Sequence, residues 1–193
     1  YTANCCRAPI LPDGSLGAWT ETTPMPQPRS YIGNATLALN DMIYVVGGFL
    51  NDETKFSYNT AIWSRPGPDG NLGPWQESPP FAAAGRDCLT VVSTPGFIHV
   101  LGGSVGSRNP TAEVITGVVD AEGRIAAWEP GPPMPVQLWF HHAAALAGRV
   151  WVWGGLTGAQ PNTASNRVYS ASILGTGRIG EWREESQRLP MPI

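Results

Sequence analysis

Apolar runs recur along the chain at a fixed interval and always end the same way. Ile43-Tyr44-Val45-Val46, Ile98-His99-Val100-Leu101 and Val150-Trp151-Val152-Trp153 are each followed by a Gly-Gly pair. Four largely apolar residues in a row suit a short strand buried on both faces. The diglycine suits a place where another backbone comes close or a side chain will not fit. A second marker gives the period: Trp19, Trp75, Trp128 and Trp182 stand 56, 53 and 54 residues apart. Each closes a turn-rich segment, PDGSLGAW, PDGNLGPW, AEGRIAAW and GTGRIGEW, and three of the four precede a proline step. Asp-Gly in these segments is type I or I′ hairpin chemistry. Short strands joined by tight turns are therefore expected throughout.

A period near 50, a diglycine after a β run and one tryptophan per unit resemble the kelch repeat, the four-stranded blade of a β-propeller. The resemblance covers nearly the whole chain and implies an all-β, kelch-type propeller. In that register residues 3 to 9 and 17 to 21 are third and fourth strands of a half blade at 1–22, and complete blades span about 30–77, 85–130 and 138–184. Residues 185–193, with their LPMP, form the lead-in to a further blade. Propellers usually close with about 4 to 8 blades, so the segment is expected to belong to a larger ring, completed by the rest of its own propeller or by another chain. An arc with unpaired inner strands would aggregate or pair when alone. Residues 138–147 have high helix propensity, yet they fill an inner-strand slot, so strand is expected there.

Composition supports this picture. With 42% hydrophobic and 14% charged residues the chain can build a core, and its 23 glycines and 19 prolines recur at fixed places in each repeat. A net charge of −3 with 12 scattered basic residues offers no broad cationic face, so nucleic acid is not an expected partner. No apolar run approaches the ~18 residues needed to span a bilayer, so membrane insertion is not expected. The opening at Tyr1 without methionine reads as a processed or internal start. Cys5, Cys6 and Cys88 are an odd count, with Cys88 two blades from the pair, so buried free thiols are expected, the alternative being a Cys5–Cys6 or an intermolecular bridge. The compartment stays open, with the extracellular or cell-envelope side slightly favoured over the cytoplasm.

Several motifs invite chemistry. Gly102-Gly103-Ser104-Val105-Gly106 fits a hydrolase nucleophile elbow and Gly175-Thr176-Gly177-Arg178-Ile179-Gly180 a dinucleotide loop. Both need a following helix, and the repeat provides none. His141 and His142 alternate faces on a strand, and the register brings no further ligands to them, so a satisfied structural role is expected for each; His99 lies in a buried strand. The sequon at Asn34-Ala35-Thr36 falls on an innermost strand, where a glycan does not fit. No metal, nucleotide or other cofactor is expected.

Strand direction alternates within a blade, so loops joining second to third strands open on the same face as the connections between blades. Residues 49–57, 104–111 and 156–165 supply the first kind. The resemblance implies that arginines on this face contact acidic or carbonyl groups of a partner, which nominates Arg29, Arg86 and Arg108. Trp139, expected to be exposed at an inner-strand mouth, and His141 complete the candidate binding set; Leu138 and Trp139 replace the arginine pattern in the third blade. The expected function is a non-enzymatic scaffold for a protein or glycan. The alternative is part of a secreted kelch-propeller enzyme, of oxidase or sugar-epimerase type, whose catalytic residues lie mostly elsewhere.

Overall fold

The computed structural model describes residues 2–51, 53, 56–106, 108–158 and 163–193. All regular structure among them is β. Three four-stranded antiparallel sheets follow one another, each a meander from its inner to its outer strand. The first consists of Thr36–Leu39, Met42–Val46, Ala61–Ser64 and Gln76–Glu77. The second runs through Thr90–Thr94, Phe97–Leu101, Val114–Val119 and Ile125–Gly131. His142–Leu146, Arg149–Trp153, Val168–Ile173 and Ile179–Glu184 make the third, so the helix-prone stretch is strand. Cys5–Arg7 pairs with Thr20–Thr22 ahead of them. The inner strand of the middle sheet touches the inner strands of both neighbours. The fold is that of β-propeller blades. No helix among the described residues is long and apolar enough to cross a membrane.

The core lies between blades. Tyr44, Val46 and Trp63 of the first blade meet Leu89, Val91, Ile98 and Val100 of the second. Leu101 and Val114 of the second meet Val150, Val152 and Tyr169 of the third. This explains the uninterrupted apolar run of the second blade, whose strands have a neighbouring blade on either side.

Three repeating contacts fasten one blade to the next. The first is at the diglycine. Gly48, Gly103 and Gly155 donate their backbone N–H to the carbonyls of Arg86, Leu138 and Ile193 at 2.9, 2.8 and 2.8 Å. At Gly102, whose φ is +53°, a Cβ would stand 2.5 Å from the Leu138 carbonyl oxygen, so glycine is required by both space and conformation. The second is the outer tryptophan. The indole N–H groups of Trp75, Trp128 and Trp182 donate to the carbonyls of Thr23, Pro79 and Pro132 at 3.3, 3.0 and 2.9 Å, on the segment leading into each blade. These rings are half-buried, whereas Trp19 is 65% exposed.

The third contact uses the hairpin before the outer strand. Gly123 and Gly177 close their turns by donating to Asp120 and Leu174. Only the glycine of each turn is left-handed, which makes the turn type I with a following bulge, not I′. The Tyr44 hydroxyl donates to the Gly123 carbonyl at 2.6 Å, and the Thr94 hydroxyl donates to that of Gly177. Middle-strand Tyr44 thereby bonds the next blade's hairpin directly, and His99, at the same repeat position, does so through Thr94.

Candidate binding face

The connections between blades and the loops after the diglycines are hydrogen-bonded to each other, which places them on one face. Ser104–Val105 pairs with Arg86–Asp87, and Leu138–Trp139 pairs with Leu156–Thr157, which in turn pairs with Thr163–Ala164. Ser30 and Phe49 form the matching bridge in the first blade. Residues 52, 54, 55, 107 and 159–162 of the expected loops lie outside the described residues.

Arg29 and Arg86 are inside this face, not on it, which corrects the expectation of exposed cations. They are 5% and 1% exposed. Arg29 donates to the carbonyls of Gly47 at 2.7 Å and Thr60 at 3.1 Å, and its guanidinium lies 4.0 Å over the Tyr58 ring. Arg86 reaches the Gly102 carbonyl and bonds the Glu113 carboxylate. Burial lowers the pKa of both, Arg29 to about 10, with Glu77 and Glu113 acting in the opposite sense. Both arginines tie a diglycine to the residue just ahead of the third strand of their own blade. Leu138 fills this place in the third blade, and there the residue just ahead of the third strand is Arg167, which pairs with Glu184 at 2.8 Å. The cation has moved from the connection to the entrance of the third strand. Of the five nominated residues only Arg108 has an exposed side chain.

Trp139 and His141 are likewise buried, at 6% and 0% exposure, and the expected exposure of Trp139 is corrected. His141 occupies the repeat position of Ile32 and Leu89, packed beneath the diglycine of its own blade. Neither of its ring nitrogens has a hydrogen-bond partner, so the expectation of a satisfied histidine fails here. Burial and the neighbouring His142 hold its pKa down to about 3. His99 does meet that expectation: its ring lies 2.9 Å from the Thr94 hydroxyl and 3.0 Å from that of Thr116, with a pKa lowered to about 4 chiefly by burial.

The residues that do surface near the axis, Tyr31 and Phe140, are ones the sequence reading did not nominate for binding. Tyr31, Cys88 and Phe140 hold the same position in three repeats, and all three are left-handed, with φ of 55°, 50° and 55°. Non-glycine residues take this conformation rarely, and where they do the site is often functional. Tyr31 and Phe140 are 52% and 42% exposed and meet edge to face at 6.0 Å. Phe49 and Trp139 support them at 5.8 and 5.1 Å. With Gly33, Asn34, Cys88 and Leu89 they line a pocket of about 230 Å³. Its rim is bonded across blades: the His141 carbonyl accepts from the Asn34 amide at 2.9 Å and the Thr90 hydroxyl at 2.6 Å. The signal available in the sequence was an aromatic just before the polar start of the inner strand, at Tyr31 and Phe140.

The other chemical motifs are accounted for by the fold. Ser104 is wholly buried on a short strand, and residues 175–180 span a hairpin turn and the start of an outer strand. All three thiols are free; Cys88 is buried, but Cys6 is exposed and Cys5 half-buried, which corrects the expected burial of the pair. Among the described residues no group of three or more His, Cys, Asp or Glu could hold a metal ion.

With four-stranded blades, diglycine junctions and outer tryptophans in place, the relatives decide the repeat type. Kelch-like protein 33 of Homo sapiens is 25% identical over 159 residues, which is 82% of this chain and 28% of that protein. The repeats are of the kelch type. Spermatocyte protein spe-26 of Caenorhabditis elegans is 25% identical over 181 residues, 89% of this chain and 27% of its own. Alpha-scruin of Limulus polyphemus is 25% identical over 161 residues, 80% of this chain and 16% of its own. The chain thus spans under a third of the length of these curated relatives. No family model matches it. In kelch terms, Arg29 and Arg86 are junction residues, and the axial mouth is the exposed feature of the face.

Proposed function

We propose that these kelch blades are a scaffold that binds a protein partner through the face carrying the axial mouth. The observation that carries this is the exposed aromatic pair Tyr31 and Phe140, fixed on left-handed backbone where three blades meet. Exposed, rigidly held aromatics are the usual anchors of protein interfaces. The kelch-type relatives support the same reading.

The opposite face supplies the control. It has short turns such as 40–41 and 147–148, with Asp41 exposed. A photoreactive amino acid is placed at Tyr31, Phe140 or Asp41, the protein is irradiated in lysate, and adducts are resolved by mass. Protein adducts from positions 31 and 140 but not 41 are expected. Adducts only from 41, or none from any position, would remove this reading.

A further inference from the structure

The mouth is chemically unlike the cationic site that the kelch resemblance implied. None of its six lining residues carries a formal charge. Arg29 and Arg86 are committed to the Gly47 and Gly102 carbonyls beneath the surface. A carboxylate entering here would lose water without gaining a counter-charge, which is strongly unfavourable. An apolar group loses nothing by leaving water and gains the two aromatic rings.

Size narrows the occupant further. At about 230 Å³ the mouth is smaller than the ~300 Å³ at which pockets for drug-sized ligands begin. It suits one side chain of leucine or phenylalanine size. The three left-handed residues act together in shaping it. Backbone of this kind is unfavourable for any residue but glycine, and here Tyr31, Cys88 and Phe140 all lie at the rim of the same cavity. Asn34, which donates to the His141 carbonyl of the third blade, locks the rim in place. The pocket is preformed, so little ordering would accompany binding.

We infer that the axial mouth receives a single uncharged apolar side chain, of leucine or phenylalanine size, from the partner polypeptide. This rests on the protein-binding reading above and goes further in excluding an acidic recognition motif.

The test is selection from a disulfide-constrained heptapeptide library displayed on phage, with the full 193-residue chain as target. Enriched sequences should share one Leu, Ile, Met or Phe and no acidic consensus. Synthetic peptides made from them should bind at least tenfold more weakly to Phe140→Ser and to Tyr31→Gly. The glycine variant keeps left-handed backbone accessible, so it separates loss of the ring from loss of the fold, and thermal melts confirm that each variant is folded. Arg108→Ala should bind normally. An acidic consensus, failure to enrich any sequence, or binding indifferent to both mouth variants would overturn the inference. If photo-adducts still form from positions 31 and 140 in that case, protein binding by this face survives and only the apolar specificity falls.

Discussion

Arg86 opens the second blade and Leu138 the third, and both are buried, at 1% and 0% exposure, beside the diglycine junctions. Three residues further on, Leu89 in the second blade corresponds to His141 in the third, again with both buried. One blade therefore has a cation at the junction and an apolar residue beneath the glycines, and the other has the reverse arrangement of polarity. The first arrangement is the better satisfied: the two terminal nitrogens of Arg86 have a carbonyl and a carboxylate and only its Nε is unpartnered, whereas neither His141 ring nitrogen has a partner. The comparison teaches that the kelch backbone specifies shape and volume at these positions, and that polarity is settled locally by what stands opposite.

The largest effect is expected on removing Arg86. Its carboxylate partner Glu113 is 65% exposed and can rehydrate, but the Gly102 carbonyl cannot, and a cavity remains. Arg86→Ala should lower stability by about 3 to 5 kcal/mol in urea unfolding. Arg86→Leu, which copies the third blade, should cost less, because the volume is restored. Equal losses for the two would mean that charge, not packing, dominates the junction.

Next come the tryptophans. Trp128 is only half-buried, but it packs on the Phe81 ring at 5.5 Å and donates to Pro79. Trp128→Ala is expected to cost about 2 to 4 kcal/mol, and Trp19→Ala less than about 0.5 kcal/mol, since that ring is 65% exposed. Comparable losses at both positions would contradict the blade contacts described.

His141→Leu gives the third blade the residue of the second. Removing two unpartnered buried nitrogens should raise stability by about 1 to 3 kcal/mol at pH 7. The pH dependence is sharper. His141 titrates near 3 when folded, below the ~6.5 of an unfolded histidine. The unfolded state therefore binds the proton first, and stability is full above pH 6.5 and falls as pH drops toward 3. His99, with a folded pKa of about 4, contributes in the same sense. Each should cost about 2 kcal/mol between pH 7 and pH 5. The stability gap between His141→Leu and the parent should widen by that amount over this interval. A gap independent of pH would show that His141 is hydrated or partnered.

The smallest effect concerns backbone alone. Ala147 is exposed in a turn on the opposite face with φ of 52°, and its side chain is a single methyl group. Ala147→Gly should stabilise the chain by about 1 kcal/mol. Tyr31→Gly relieves the same conformation but also removes the ring contacts with Phe49 and Phe140. Its net change should therefore be smaller or destabilising.

Much of this fold was legible because its determinants are residue types at fixed spacing. The diglycines mark close backbone approach, the apolar runs mark strands covered on both sides, and the tryptophans mark the outer strand. The mouth was not legible in this way. Tyr31, Cys88 and Phe140 share a backbone conformation but no side-chain chemistry, so no motif connects them. Arg29 and Arg86 misled because arginine is rarely buried. Their carbonyl partners are backbone groups, which the sequence does not display. His141 misled for the opposite reason: a buried histidine normally finds a partner, and this one fills a slot shaped for leucine.

The role of the axial face can be measured directly by amide hydrogen exchange, comparing the free chain with its complex with the protein captured by photo-crosslinking. Slowed exchange confined to residues 30–34, 87–90 and 138–142 is the expected result. Protection centred instead on the turns at 40–41 and 147–148, with the axial segments unchanged, would contradict it.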